Sequence, residues 1–352
     1  MQYKILFVLP VSTQPRFSKR IQNYLDRGYE VTVASFEREY FKKNSLPENI
    51  KFLSLGKIES GAYIKRIPKI VSVFNKIYKL SKKNDLIYIF SPDILLFTFS
   101  FLKSSKLYYE IGDIRQISGN QAVSNLYDGI YKKALKKCSK IFVTSTGFKR
   151  FFADKYSVDV MKFRVIENKL PVSLFSPFDR SEFRHIKSSS YIVSIIGLLR
   201  YKNIISFLTA YYKADAKFKI KIFGDGPLRD EIMKFVDNDN VQYFGQFRNP
   251  DDLFEIYNQT DLSFTMYNSK NKNVQLALPN KLYESIYFRR PILVSADTYL
   301  EEMVNKYQVG FFWKQEDMKG LISYMTSESF IKDYNRLCAN FDLINQNVYL
   351  AK

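Results

Sequence analysis

The residues best placed to do chemistry lie in ALPNKLYESIYFRRPILVS, from Ala277 to Ser295. A Pro-Asn turn leads Lys281, Leu282, Tyr283 and Glu284 into a helix, and a buried strand from Pro291 to Val294 follows. A lysine in the first turn opposes the partial positive charge and free amide donors of a helix N-terminus. An anion is therefore its natural companion. Backbone amides and Lys281 could hold a phosphate together, and Glu284, one turn on, could accept hydrogen bonds from sugar hydroxyls. The same residues also fit a proline-capped helix whose lysine and glutamate are simply solvated.

A second set lies in YYEIGDIRQ, with Glu110, Asp113 and Arg115, followed by TSTGFKRFF with Ser145 and Gly147. Two carboxylates in a loop can act as a general base or accept sugar hydroxyls. Equally, Asp113 and Arg115 can pair with one another and only hold the loop. The second half adds two strand-to-helix turns, Gly197 with Arg200 and Lys202 nearby, and Gly224-Asp225-Gly226-Pro227. Glycine there lets backbone amides approach a ligand closely.

These residues need strands whose carboxyl ends face a ligand. Short apolar runs supply them at Lys4–Pro10, Glu30–Phe36, Lys51–Leu55, Leu86–Phe90, Lys106–Glu110, Lys140–Thr144 and Phe163–Ile166. Helical segments alternate with these runs, as in RFSKRIQNYLDRG, which Gly28 ends. This is the pattern of an α/β doubly wound sheet covered on both faces. The first loop, VSTQPR, lacks the G-x-G-x-x-G fingerprint, which disfavours a dinucleotide there. From Tyr191 the strand, turn and helix alternation restarts. The aperiodic stretch between, with two prolines and a serine run, reads as a linker. The expected domains are 1–170, a linker 171–190, 191–330, and a terminal helical segment 331–352.

The 352 residues suffice for two cores. Cys138 and Cys338 have no spacing partners, which argues against a disulfide framework or a zinc site and fits a reducing cytoplasm. The first residues run directly into a strand, so no secretory signal is expected. The longest apolar run, Ile94 to Leu102, is about half the roughly 20 residues that span a bilayer.

The net charge of +19 is one-sided. Residues 1–170 hold 31 Lys and Arg against 14 Asp and Glu, whereas residues 171–352 hold 23 against 21. A field of this kind suits a polyanionic partner. Between the third and fourth strands, Ala62 to Lys83 reads as one basic amphipathic helix. Ile67, Ile70, Val71, Phe74, Ile77 and Tyr78 form its stripe, and Lys65, Arg66, Lys69, Lys76 and Lys79 lie among the flanking charges. It fits a surface helix packed on the sheet, or one resting its lysines on anionic lipid headgroups. The charges are spread over helices rather than gathered round an aromatic platform, so no nucleic-acid partner is expected.

In order and spacing, GDGP after an apolar strand, VQYFGQF, IYNQTDLSF and PNKLYES…RRPILVS resemble the C-terminal donor-binding domain of GT-B-fold glycosyltransferases. They are most similar to the retaining family 4 type of bacterial surface polysaccharide assembly. The resemblance covers about Tyr191 to Phe312, while the first half is similar only in outline. It implies two facing Rossmann-like domains with a nucleotide sugar, UDP being the expected nucleotide, and a last helix that crosses back to the first domain. It implies Arg200 and Lys281 as the charges that meet the leaving diphosphate, and Gly197, Lys202, Gly224, Asp225, Gly226, Pro227, Asn280 and Glu284 as donor-binding residues. Glu110 and Asp113 stand where the family's first-domain histidine is missing. Retention without metal or cofactor, and a lipid-linked saccharide acceptor at the cytoplasmic membrane face, complete the expectation.

Two departures are plain: Leu276 replaces the first of two glutamates eight positions apart, and Leu198 replaces an arginine. With Leu276 there, the backbone amides of Asn273 to Gln275 are expected to meet the sugar. A UDP-sugar epimerase of the same fold, or a non-catalytic partner subunit of another transferase, are the alternatives.

Overall fold

The computed structural model describes residues 2–12, 14–37, 46–58, 63–115, 120–171, 183–188, 190–343 and 350–351. The chain divides into two compact units, Met1–Glu167 and Asn168–Lys352. Among the described residues of the first unit, β1 (Lys4–Leu9), β2 (Glu30–Glu37), β3 (Lys51–Lys57), β4 (Leu86–Phe90), β5 (Leu107–Ile111), β6 (Lys140–Val143) and β7 (Phe163–Val165) make one sheet. Its order is β3-β2-β1-β4-β5-β6-β7, and neighbouring strands are parallel. The central strand β1 reads KILFVL, and every residue after Lys4 is buried, as a strand covered on both faces demands. The register places Phe7 beside Val33 on one side and Tyr88 on the other.

The connecting helices are α1 (Pro15–Asp26), α2 (Tyr63–Ser72), α3 (Phe74–Lys82), α4 (Pro92–Thr98), α5 (Gln121–Lys137) and α6 (Thr146–Tyr156). Gly28 ends the first crossover at φ +79°, a left-handed conformation that glycine adopts without steric cost. The single helix expected over Ala62–Lys83 is two. It breaks at Val73, whose φ and ψ of −99° and 2° leave the helical region. Ile70, Val73 and Ile77 are buried, whereas Val71 and Tyr78 of the expected stripe are exposed. Ile70, Val73, Ile77 and Ser81 nonetheless keep one helical row, so the apolar period runs through the break.

The second unit begins with β8 (Leu170–Pro171). Its sheet is built from β9 (Ile192–Ile196), β10 (Lys219–Phe223), β11 (Val241–Gly245), β12 (Leu262–Thr265), β13 (Ile292–Ser295) and β14 (Gly310–Trp313). The order β11-β10-β9-β12-β13-β14, all parallel, is that of a dinucleotide-type doubly wound sheet. The helices are α7 (Asn203–Lys213), α8 (Arg229–Met233), α9 (Leu253–Asn258), α10 (Lys272–Leu276), α11 (Asn280–Tyr287), α12 (Tyr299–Tyr307), α13 (Met318–Met325) and α14 (Glu328–Leu343). A short β15 (Leu350–Ala351) pairs with β8.

Strand alternation sorts the second unit's core into two layers. Val193, Ile195, Ile220, Ile222 and Leu293 pack with Phe207 and Leu208 of α7, Leu321 and Ile322 of α13, and Phe330 and Tyr334 of α14. Ile196, Phe223, Ile292 and Val294 pack with Tyr257 of α9, Leu282 and Ile286 of α11, and Val304 of α12. Of the segment expected as linker, 172–182 and 189 lie outside the described residues. Ile186 is buried in the second unit's core, and both its backbone groups bond the side chain of Asn335 at 3.0 and 2.8 Å. No helix among the described residues is long and apolar enough to cross a membrane.

Candidate functional site

At the carboxyl ends of β9 and β10 two glycine turns are joined through their backbones. Gly197 N–H donates to the carbonyl of Phe223 at 2.8 Å, and Leu199 N–H to that of Asp225 at 3.0 Å. Leu228 N–H returns to Leu199 O at 3.0 Å. Gly197 and Gly224 sit at φ +117° and +144°, and a β-carbon on Gly224 would stand 1.8 Å from the Gly197 carbonyl oxygen. One on Gly226 would stand 2.6 Å from the Leu199 oxygen. What requires glycine at 224 and 226 is thus turn packing on turn. Asp225 accepts from Gly226 N–H at 2.7 Å and from Gln246 Nε2 at 3.1 Å. Those bonds, the amide first, hold its carboxyl below the usual aspartate range. Pro227 and Leu198 are exposed beside these turns.

The helix α11 brings its lysine to this frame. The Lys281 Cε lies 3.7 Å from the position of a β-carbon on Gly197. Its Nζ donates to Glu284 Oε2 at 2.5 Å, and Tyr257 Oη donates to the same oxygen at 2.9 Å. The two charged side chains are 10% and 1% exposed. The ammonium also stands 5.8 Å from the centroid of Phe247 and 6.0 Å from that of Tyr257, within cation–π range. The anion that a first-turn lysine calls for is therefore present inside the helix, as Glu284. Burial, with the Glu284 charge next, pushes the Tyr257 hydroxyl well above the usual phenol range and keeps it a donor.

The other expected donor-side residues are more open. Arg200 is exposed; its Nη2 donates to Tyr201 Oη at 2.8 Å and its guanidinium lies 4.9 Å from that ring's centroid. Tyr201 in turn packs on Tyr267, centroids 4.8 Å apart. Lys202 and Asn280 are exposed at the starts of α7 and α11. The Asn273 and Gln275 amides, expected to meet a sugar, are used within α10. They donate to Asn271 Oδ1 at 2.9 Å and Asn271 O at 3.0 Å.

A crevice of about 450 Å³ opens beside Phe247, lined by Phe223, the run Phe244 to Arg248, and Asp251, Asp252, Glu255 and Ile256. Phe244, half exposed, stacks on Phe223 at 4.7 Å, and Gly245 turns the chain at φ +75°. Arg248 closes one edge through a two-nitrogen contact with Asp252 Oδ1 at 2.7 and 3.1 Å. Sequence reasoning placed no site residue here. The available signal was the glycine that ends the strand VQYFG.

In the first unit the expected acids part company. Glu110 is buried, and its Oε2 accepts from Arg20 Nε at 3.0 Å and Tyr88 Oη at 2.7 Å. A carboxylate so enclosed holds α1 to the sheet. Asp113 is exposed, and it does not take Arg115, whose Nη2 lies 3.3 Å from Asp93 Oδ1 and 3.2 Å from Ser91 Oγ. Adjacency of β4 and β5 makes Asp93 the acid that faces Arg115. The Arg16 guanidinium lies over Gly112, where a β-carbon would stand 2.2 Å from Nη1. His185 is exposed, its ring edge-on to Phe183 at 5.4 Å.

Of the lysines placed at a membrane, Lys76 donates to Ser54 O at 2.8 Å and Lys69 lies over Gly56. Lys79 is exposed, and the side chains of Lys65 and Arg66 lie outside the described residues. No group of three His, Cys, Asp or Glu placed to hold a metal occurs among the described residues.

Residues 176–341 match the model of the family Glycosyl transferases group 1. The succinoglycan biosynthesis protein ExoL of Rhizobium meliloti (strain 1021) is 20% identical over 345 residues, covering 92% of this chain and 84% of that protein. The structure of Anabaena Alr3699/HepE in complex with UDP superposes at a TM-score of 0.70 with 15% identity, covering 99% of this chain and 96% of that one. WaaG, a glycosyltransferase involved in lipopolysaccharide biosynthesis, superposes at 0.68 with 15% identity, covering 98% and 97%.

Proposed function

We propose that this chain of GT-B fold, whose residues 176–341 match the group 1 glycosyltransferase model, serves polysaccharide biosynthesis by moving a sugar from UDP to a hydroxyl of a lipid-linked cell-surface precursor. The observation that carries the proposal is the ammonium of Lys281 set against the Gly197 turn and countered by Glu284. A diphosphate arriving at that turn offers Lys281 a stronger, doubly charged partner. As the lysine turns to it, Glu284 is released from its cation and becomes an acceptor for ribose hydroxyls.

The crevice along Phe244 to Arg248 has the aromatic walls and backbone groups that suit a nucleobase. The UDP held by the Anabaena protein supports uridine as the nucleoside. Arg200, lightly held on Tyr201, is free to swing toward the phosphates from the facing turn. Cations placed where negative charge develops lower the barrier without reorganisation.

In the proposed step the acceptor hydroxyl attacks the anomeric carbon from the face that the diphosphate leaves. The bond from that carbon to the phosphate oxygen breaks, and the departing oxygen takes the hydroxyl proton. The configuration is retained, and neither a protein base nor a metal takes part. Enclosure of Glu110 agrees with that economy and leaves Asp113 as the exposed one of the two expected acids. The basic first unit is proposed to face the acceptor and the cytoplasmic surface of the membrane.

Thermal-shift titration with UDP, GDP, ADP and UDP-sugars tests this, on wild type, Lys281→Ala and Glu284→Gln. A ligand at 100 times its dissociation constant stabilises the native state by about 2.7 kcal/mol. The expected result is a UDP-selective shift lost in Lys281→Ala. No shift with any nucleotide overturns the proposal in favour of a non-catalytic partner subunit. Turnover of a UDP-sugar without acceptor replaces it with epimerase chemistry.

A further inference from the structure

Of the two donors that meet Glu284, one is fixed and the other is mobile. Both bonds fall on Oε2, from Lys281 Nζ at 2.5 Å and from Tyr257 Oη at 2.9 Å. Tyr257 is fully buried near the end of α9, and its backbone carbonyl accepts from Thr260 N–H at 3.1 Å and Arg290 Nε at 3.0 Å. Its ring stacks on Phe288, with centroids 4.8 Å apart and planes inclined by 13°. Phe288 follows Glu284 by about one helical turn, and its N–H donates to Glu284 O at 2.9 Å. The segment that carries the carboxylate thus also carries the shelf on which the phenol rests.

Lys281 has no such anchorage. Its ammonium ends a flexible four-carbon stem, and besides Glu284 its described contacts are the ring faces of Phe247 and Tyr257 at 5.8 and 6.0 Å. If a diphosphate takes this lysine, Glu284 keeps one donor. The carboxylate is 1% exposed, so little solvent reaches it to replace the lost cation. Left bare, it would draw Lys281 back. The Tyr257 hydroxyl meets that need without adding a charge of its own, and burial keeps its proton in place.

We propose that Tyr257 is the positioning residue of this site: its hydroxyl holds the Glu284 carboxylate in place and satisfied while Lys281 leaves it for the diphosphate. The inference deepens the donor reading above and rests on it. It adds a residue from α9 to a pair carried by α11, and it makes the phosphate affinity of Lys281 depend on a group that never touches the nucleotide.

Ligand-detected NMR titration of the full chain with UDP and with uridine tests this, on wild type, Tyr257→Phe, and Tyr257→Phe combined with Glu284→Gln. The ratio of the two affinities isolates what the diphosphate adds. Tyr257→Phe keeps the ring and removes one oxygen. It is expected to lower that ratio by about tenfold, the worth of one hydrogen bond to a charged group, by weakening UDP and sparing uridine. Adding Glu284→Gln removes the anion that retains Lys281, and the ratio is expected to return at least to the wild-type value. A merely structural role for Tyr257 would weaken both ligands together and would not be rescued by a second substitution in the core. Phe288→Leu, which loosens the ring and spares the hydroxyl, should lower the ratio in the same direction, and gives the reading if Tyr257→Phe does not fold. A ratio unmoved in the single variants, or one that falls further in the double variant, overturns the inference. So does a wild type that binds UDP no better than uridine. A wild type that binds neither ligand fails the transferase reading itself, and this inference falls with it.

Discussion

The Lys281 side chain lies along the open side of Gly197, its Cε 3.7 Å from where a β-carbon would stand. One residue supplies a cation and the other an unobstructed turn, and neither serves without its neighbour. Gly197→Ala adds a methyl that Lys281 can accommodate, but at φ +117° the backbone is strained for any other residue, by about 1–3 kcal/mol. The expected outcome is a modest loss of stability in urea and a larger proportional loss of UDP affinity.

Gly224→Ala should be far worse. Its β-carbon meets the Gly197 carbonyl at 1.8 Å, and that oxygen belongs to backbone fixed by the bond from Gly197 N–H to Phe223. Circular dichroism melting and nucleotide titration should both register the damage, with binding abolished at temperatures where the variant is still folded.

Glu284→Gln leaves Lys281 buried without its anion. Breaking one side of a buried pair costs about 3–5 kcal/mol. Replacing both partners, as Lys281→Met with Glu284→Gln, should recover much of that loss in denaturant unfolding while nucleotide binding stays lost. A double variant as unstable as Glu284→Gln alone would rule out the pair as the source.

Glu110→Gln separates structure from catalysis. Because Glu110 is enclosed with Arg20 and Tyr88, its loss is expected to cost about 3 kcal/mol of stability and leave the pH profile of kcat unmoved. A displaced acidic limb in that profile would instead make it a base.

Asp237 supplies a pH signature in the second unit. Although partial desolvation pushes its carboxyl upward, the Tyr212 hydroxyl and the amides of Val241, Asn240 and Asp239 outweigh that and hold it down to about 2. Its folded value lies below its unfolded one, so the stability it contributes is present above about pH 4 and is lost as pH falls toward 2. The stability difference between wild type and Asp237→Asn should be constant above pH 4 and vanish across that window.

The strands are legible because parallel strands buried on both faces appear as continuous apolar runs. KILFVL, LIYIF and ILVS all fall where that rule puts them. The break at Val73 is not legible, because an apolar valine continues the helical period across it. Lys281 and Glu284 can be read as a helix-borne pair from their spacing. Their closure on one another cannot, since Tyr257 and Phe247 complete it from elsewhere in the chain. The crevice at Phe244 to Arg248 escapes a linear reading because a cavity is made by residues that stop short of one another. Glu110 is misread as available because a carboxylate at a strand end looks the same whether or not an arginine from α1 encloses it.

The guanidinium of Arg16 over Gly112 makes positions 16 and 112 competitors for a single space. A chain of this architecture can fill that space from the first turn of α1 or from the loop after the fifth strand, but not from both. Introducing histidine at 112 should therefore be tolerated only when Arg16 is shortened in the same molecule, and homologous chains with a side chain at 112 should carry a small residue at 16. The helix start and the loop would then exchange which of them supplies the charge at that end of the sheet.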